Sequence, residues 1–67
     1  MFAQRVKELR KQHQLTQRAL GEALGITEQA YQLYEYGRQK PGIDRLIELA
    51  DFFDVSLDYL VGRSDTP

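Results

Sequence analysis

Apolar side chains recur along this chain at intervals of three and four residues, the spacing that gathers them on one face of a helix. Phe2, Val6 and Leu9 mark a first helix, and the polar stretch Lys11–Gln14 ends it. Thr16 is placed to cap a second helix, its hydroxyl accepting a free amide of the first turn. Leu20 and Leu24 form the apolar stripe of that helix, and Gly25 suits the left-handed position that closes it. Thr27 caps a third helix, with Ala30, Tyr31 and Tyr34 on its inner face and Gly37 at its end. After a proline-containing loop, Arg38–Gly42, a fourth helix turns Ile43, Leu46, Leu49, Ala50 and Phe53 inward. Ser56 caps a short fifth helix carrying Leu57, Leu60 and Val61, and Gly62 stops it. No stretch alternates with period two, so strands are not expected.

The pattern predicts an all-α fold: a compact five-helix bundle over residues 1–62, followed by a polar, disordered tail at residues 63–67 or the start of a linker. Helices this short are marginal in isolation, so they must hold one another by tertiary packing. Gly21 lies inside the second helix, where glycine costs about 1 kcal/mol relative to alanine. A close crossing of the second and third helices supplies a reason for it; a tolerated surface glycine is the alternative.

Sixty-seven residues allow one small domain. A chain of this size buries only about 60% of the surface its unfolded form exposes, so its stability is marginal. With no cysteine and one histidine, His13, neither a disulfide staple nor a zinc centre of the usual kind is expected. No apolar run reaches the roughly 18 residues of a membrane span, and no apolar segment follows Arg5 and Lys7 as in a signal peptide. A soluble cytoplasmic protein is the default expectation.

The formal net charge of −1 argues weakly against a nucleic-acid partner, but its distribution is uneven. Residues 1–20 carry +4, residues 21–37 carry −3, residues 38–45 carry +2 and residues 46–67 carry −4. A chain polarised in this way suits an oriented partner surface, although a mixed solvated surface reads the same in composition alone.

The most informative stretch is LTQRALGEALGITEQAYQLYEYG, Leu15 to Gly37. Two short helices joined at a glycine, the second displaying a row of polar side chains, have the layout of a helix-turn-helix, whose second helix enters the major groove of DNA. LTQRALGEALGIT, Tyr34-Glu35-Tyr36-Gly37 and Lys40-Pro41 resemble the Xre family, the DNA-binding domains of lambda-type repressors and Cro. The closing run LADFFDVSLDYLVG resembles the last two helices of that family, so the likeness extends from about Phe2 to Gly62.

The resemblance implies a recognition helix over residues 27–36 and a role for each position that matches. Gln17, at the start of the second helix, corresponds to a clamp on a DNA phosphate, where helix amides favour an anion; an ordinary N-terminal glutamine is the bland reading. Arg10 and Glu35 match a charged pair tying the first helix to the end of the third. With Ala30, Tyr31 and Tyr34 inward, the opposite face presents Glu28, Gln29, Gln32, Leu33 and Tyr36 as candidate DNA contacts. Gln29 is the leading base reader, since an amide pairs bidentately with adenine N6 and N7. Leu33 meets a thymine methyl or is buried at the helix edge, and Gln32 reaches a base or a phosphate. Glu28 departs from the pattern: it accepts from cytosine N4 or merely complements the helix N-terminus. Tyr31 also departs, filling a slot where the family usually has a β-branched aliphatic residue. Arg18, Tyr36, Arg38 and Lys40 join Gln17 as expected phosphate contacts, supplying the salt-dependent part of binding.

The expected function is a sequence-specific double-stranded DNA-binding transcriptional regulator, a repressor acting as a homodimer, bacterial or phage-encoded and nucleoid-associated when bound. Phe52, Leu57 and Val61 are the expected dimer contacts. A protein-interaction module of antitoxin or anti-repressor type is the alternative, supported by the negative net charge and Glu28. Nothing points to an enzyme: the chain has one histidine and no cysteine, and it offers no phosphate-cradling glycine loop and no carboxylate pair in a plausible cleft. No cofactor, metal or small-molecule ligand is expected, nor any membrane association. His13 is expected to be solvated or to cap the first helix.

Overall fold

The computed structural model describes residues 1–67, in the helix order α1 (Phe2–Gln12), α2 (Gln17–Leu24), α3 (Glu28–Glu35), α4 (Ile43–Phe53) and α5 (Leu57–Leu60). No strand interrupts them. Three of the five starts carry a hydroxyl cap. Thr16 accepts from the Ala19 N–H at 2.9 Å, Thr27 from the Ala30 N–H at 3.1 Å, and Ser56 from the Tyr59 N–H at 3.0 Å. Each cap satisfies one amide that has no partner inside its helix, worth about 1 kcal/mol. In chains as short as α2 and α3, eight residues apiece, that decides where the helix begins.

The core draws on every helix: Val6 and Leu9 from α1, Leu20 and Leu24 from α2, Tyr31 and Tyr34 from α3, Leu49, Ala50 and Phe53 from α4, and Leu60 from α5. The aromatic members pack edge to face. Tyr34 meets Phe2 with ring centres 6.3 Å apart and Tyr31 at 6.2 Å, a geometry the ring quadrupoles favour. Ile43 differs from expectation: it is 61% exposed rather than inward. It is the first residue of α4, one turn ahead of Leu46, and the buried stripe of the helix begins only there.

Contacts outside the apolar core join the later helices to the earlier ones. Arg45 on α4 donates from Nη1 to the Leu24 carbonyl at 3.0 Å, placing a cation on the C-terminal end of α2 where the helix dipole favours it. Arg5 on α1 lies 3.9 Å over the centre of the Tyr59 ring on α5, a cation–π contact. Its Nη2 also stands 3.6 Å from Asp65. Residues 63–67, expected as a disordered tail or the start of a linker, make backbone hydrogen bonds to α5 and its cap. The Arg63 N–H donates to the Asp58 carbonyl at 2.8 Å, and the Ser56 N–H to the Pro67 carbonyl at 2.9 Å. His13 closes α1, its Nδ1 lying 2.9 Å from the Leu9 carbonyl and its ring against Phe53.

The turn between α2 and α3 sets the angle of α3. Gly25 adopts φ +75°, the left-handed conformation that glycine reaches without a Cβ clash. The Ile26 N–H then returns to the Gly21 carbonyl at 2.9 Å. Gly21 is buried directly beneath this turn. A Cβ there would stand 3.2 Å from the Thr27 carbonyl oxygen and 3.3 Å from that of Ile26. The close approach that the sequence suggests is therefore made to the backbone of the turn that starts α3. A side chain at this position pushes on the frame of the third helix, and backbone cannot step aside as a flexible side chain can.

Gly21→Leu is expected to destabilise the fold by roughly 1–3 kcal/mol through overpacking, read as a lower urea midpoint at unchanged m-value. An unaltered midpoint would mean that the turn yields at no cost and does not fix α3.

Candidate nucleic-acid interface

Helix α3 is held by its inner face and free on its outer one. Tyr31 is wholly buried and Tyr34 nearly so, while Gln29 and Tyr36 are exposed and Glu28, Gln32 and Leu33 are half-buried. With its side chains an α-helix is about 10–12 Å across, a fit for the roughly 12 Å width of a B-DNA major groove. The helix ends where Gly37 turns left-handed at φ +71°. The Arg38 N–H donates back to the Leu33 carbonyl at 2.9 Å there, satisfying an orphan carbonyl of the last turn.

The other end of the inner face holds a polar cluster. Glu35 leaves 1% of its side chain to solvent and receives four donors. Arg10 supplies two, Nε to Oε2 at 2.5 Å and Nη2 to Oε1 at 3.1 Å, in the bidentate fork that suits a carboxylate. The Tyr31 hydroxyl donates to Oε2, and Gln17 Nε2 donates to Oε1 at 3.1 Å. Four donors fill the acceptor capacity of a carboxylate. The third guanidinium nitrogen of Arg10 donates to the Leu15 carbonyl at 2.9 Å, so the loop before α2 is fixed by the same residue. No buried side-chain nitrogen or oxygen lacks a partner.

This cluster governs the titration of its members. Burial alone pushes the Glu35 carboxyl up, but hydrogen bonds from Arg10, Tyr31 and Gln17 outweigh it and hold the group below the usual carboxylate range. Burial, reinforced by the hydrogen bond to Glu35, pushes the Tyr31 phenol well above its ordinary range. The hydrogen bond to Glu35 raises Arg10 against the opposing effect of burial. The cluster is thus carboxylate, guanidinium and neutral phenol at all moderate pH.

The tyrosine was legible as an inward residue but not as a polar partner. Tyr31 and Glu35 are four residues apart on one helix, the spacing at which side chains meet, and that is the signal that could have found the bond. Arg45 was likewise unassigned, because its carbonyl partner at Leu24 is 21 residues away.

The structure also places the remaining candidates. Gln17 accepts at Oε1 from Gln32 Nε2 at 3.0 Å, linking the start of α2 to the outer face of α3. Arg38 and Lys40 are exposed and form no ion pair, whereas Arg18 pairs loosely with Glu22 at 3.4 Å on the surface of α2. Glu28, in the first turn of α3, forms no ion pair. Phe52 and Leu57 are 44% and 37% exposed, and Val61 is half-buried just beyond α5.

A helix-turn-helix family model matches residues 6–60. The chain belongs to the helix-turn-helix family of lambda-type repressors and Cro. Its relatives include YobD of Bacillus subtilis strain 168, named as an uncharacterized HTH-type transcriptional regulator. The two are 45% identical over 67 residues, 100% of this chain and 60% of that protein. The cryptic phage CTXphi transcriptional repressor RstR, from Vibrio cholerae, is 32% identical over 66 residues, 98% of this chain and 60% of its own. The crystal structure of a transcriptional regulator from Listeria innocua superposes with a TM-score of 0.87 at 37% identity, over 92% of this chain and 58% of that one. This helix-turn-helix chain thus spans about 60% of the length of these relatives. No helix in it is long and apolar enough to cross a membrane.

Tyr31→Phe keeps the buried ring and removes one donor to Glu35, so it should cost about 1–2 kcal/mol at neutral pH. In the wild-type chain the lowered Glu35 pKa gives stability that is present above the unfolded carboxylate value of about 4.3 and lost as pH falls through the folded one. The raised Tyr31 pKa gives stability that is present below about pH 10 and lost as pH rises further. Urea unfolding across this range should show Tyr31→Phe declining less steeply on the alkaline side. Equal alkaline slopes would show that the phenol does not titrate differently in the folded state.

Proposed function

We propose that this chain is the operator-binding part of a transcriptional repressor that places α3 in the major groove of double-stranded DNA. One observation carries the reading: α3 is anchored by Tyr31, Tyr34 and the Glu35 cluster on its inner side and offers Gln29, exposed and unengaged, on the other. A side chain that reads a base must be both exposed and held on a rigid support, because slack in the support dissipates the discrimination. Gln29 sits near the start of the helix, where recognition helices reach base edges. Gln32, Leu33 and Glu28 share the outer face and complete the base-contacting set.

The phosphate contacts surround this face. Gln17 gives one Nε2 proton to Glu35 and keeps the second for a phosphate oxygen at the start of α2, where free amides favour an anion. Arg38 and Lys40 follow α3 with no acidic partner to compete. Tyr36 and Arg18 extend the positive and hydroxyl-bearing rim. Pairing of two chains through Phe52, Leu57 and Val61 would set two α3 helices one DNA turn apart, as a two-fold operator requires. The repressor assignment is supported by the name of the CTXphi relative, and it extends to the whole protein only through that kinship.

A random double-stranded DNA library selected with the purified chain tests the reading. An inverted repeat with half-sites about one helical turn apart is the expected product. Gln29→Ala should then cost about 1–3 kcal/mol on that site and leave non-specific binding unchanged. Lys40→Ala should weaken every sequence alike and reduce the salt slope by about one. Failure to enrich any sequence would transfer the outer face of α3 to a protein partner, as in an antitoxin or anti-repressor.

A further inference from the structure

Helix α5 is a single turn, and little inside it accounts for its folding. Four residues close too few hydrogen bonds to offset the cost of nucleation, and of its side chains only Leu60 is wholly buried. The chain that follows supplies the rest. It reverses at Gly62 with φ +84°, where a Cβ would stand 2.8 Å from the Cβ of Met1, and residues 63–67 return to α5. The Asp58 carbonyl accepts from the Arg63 N–H at 2.8 Å and from the Ser64 N–H at 3.2 Å, and the Pro67 carbonyl accepts from the Ser56 N–H at 2.9 Å. The returning segment therefore grips α5 at its cap and at its middle. Arg5 fastens the grip to α1, with its guanidinium 3.9 Å over the Tyr59 ring and Nη2 3.6 Å from Asp65. No residue of Arg63–Pro67 is buried, so the segment can lift without opening the core, as elements of low local stability do.

We propose that residues 63–67 are a releasable strap that holds α5 in shape, with Arg5 as its positioning residue, and that strap closure sets the surface offered to a second copy of this chain. The last part rests on the reading of Leu57 and Val61 as pairing residues. The Val61 N–H donates to the Leu57 carbonyl at 3.0 Å, so the two side chains share a face only while this turn is formed. With the strap open, the Ser56 N–H and the Asp58 carbonyl turn to water, the turn melts and that shared face is lost. A pull on the segment after Gly62 thus acts on pairing without touching α3.

Hydrogen exchange read amide by amide on the full chain, with sedimentation equilibrium beside it, tests the strap in wild type, Arg5→Met and Asp65→Asn. Arg5→Met keeps the apolar stem and removes the charge; Asp65→Asn alters a fully exposed side chain and leaves folding intact if the first variant does not. In the wild type the amides of Ser56, Arg63 and Ser64 should open together with those of Leu60 and Val61. Arg5→Met should lower the protection of all five about tenfold, and Asp65→Asn by less, with Leu49 and Ala50 in the core unchanged. Self-association should weaken in the same order. Loss of protection at Arg63 and Ser64 while Leu60 and Val61 keep theirs would make the segment a frayed end and overturn the proposal. Pairing unchanged in both variants would overturn it as well. A wild-type chain that does not pair, with all five amides still opening as one, would overturn it through the pairing reading alone, so the two failures are distinct.

Discussion

The structure is organised around a carboxylate that water does not reach. An ionised group removed from solvent is tolerable only when its lone pairs are filled by donors, and Glu35 receives four of them from three residues on three helices. Arg10 comes from α1, Gln17 from the start of α2 and Tyr31 from α3 itself. Removing any one leaves a buried charge short of a partner, so the relative placement of these helices is linked to a single chemical requirement. Apolar packing alone would let three short helices slide against one another at modest cost. Bidentate geometry does not permit that slide.

The polar cluster and Gly21 work at opposite ends of the same helix. Gly21 lets the turn of Ile26 and Thr27 come down onto α2, which fixes where α3 starts. Glu35 fixes where α3 ends, against α1. Between these two points the inner face is filled by Tyr31 and Tyr34, and the outer face is left open toward solvent. Tyr31 serves both sides of this arrangement. Its ring is core, and its hydroxyl is one of the donors that make the buried charge tolerable. A β-branched aliphatic residue in that slot would fill less space and leave the carboxylate one donor short.

Charge is distributed in keeping with an oriented surface. The segment after α3 carries Arg38 and Lys40 unpaired, while the last third of the chain holds half of the acidic side chains. A net charge near zero therefore says little about the partner of a chain whose charges are segregated.

The helices and their starts were legible in the sequence because they depend on neighbours a few residues apart. Thr16, Thr27 and Ser56 cap from three residues away, and Gly25 needs only its own missing Cβ. The apolar spacing likewise identified ten buried side chains' worth of core, with Ile43 as the exception. A periodic pattern reports which face a residue shares and not whether another element covers that end of the face. What only the tertiary structure decided are the long-range polar bonds: Gln17 to Glu35, Gln32 to Gln17 and Arg45 to the Leu24 carbonyl. Their partners are 15 to 21 residues apart, and a hydrogen bond over such a separation exists only once the helices have packed. Local geometry chose the elements; donor and acceptor arithmetic across the assembled core chose how the outer face of α3 is aimed.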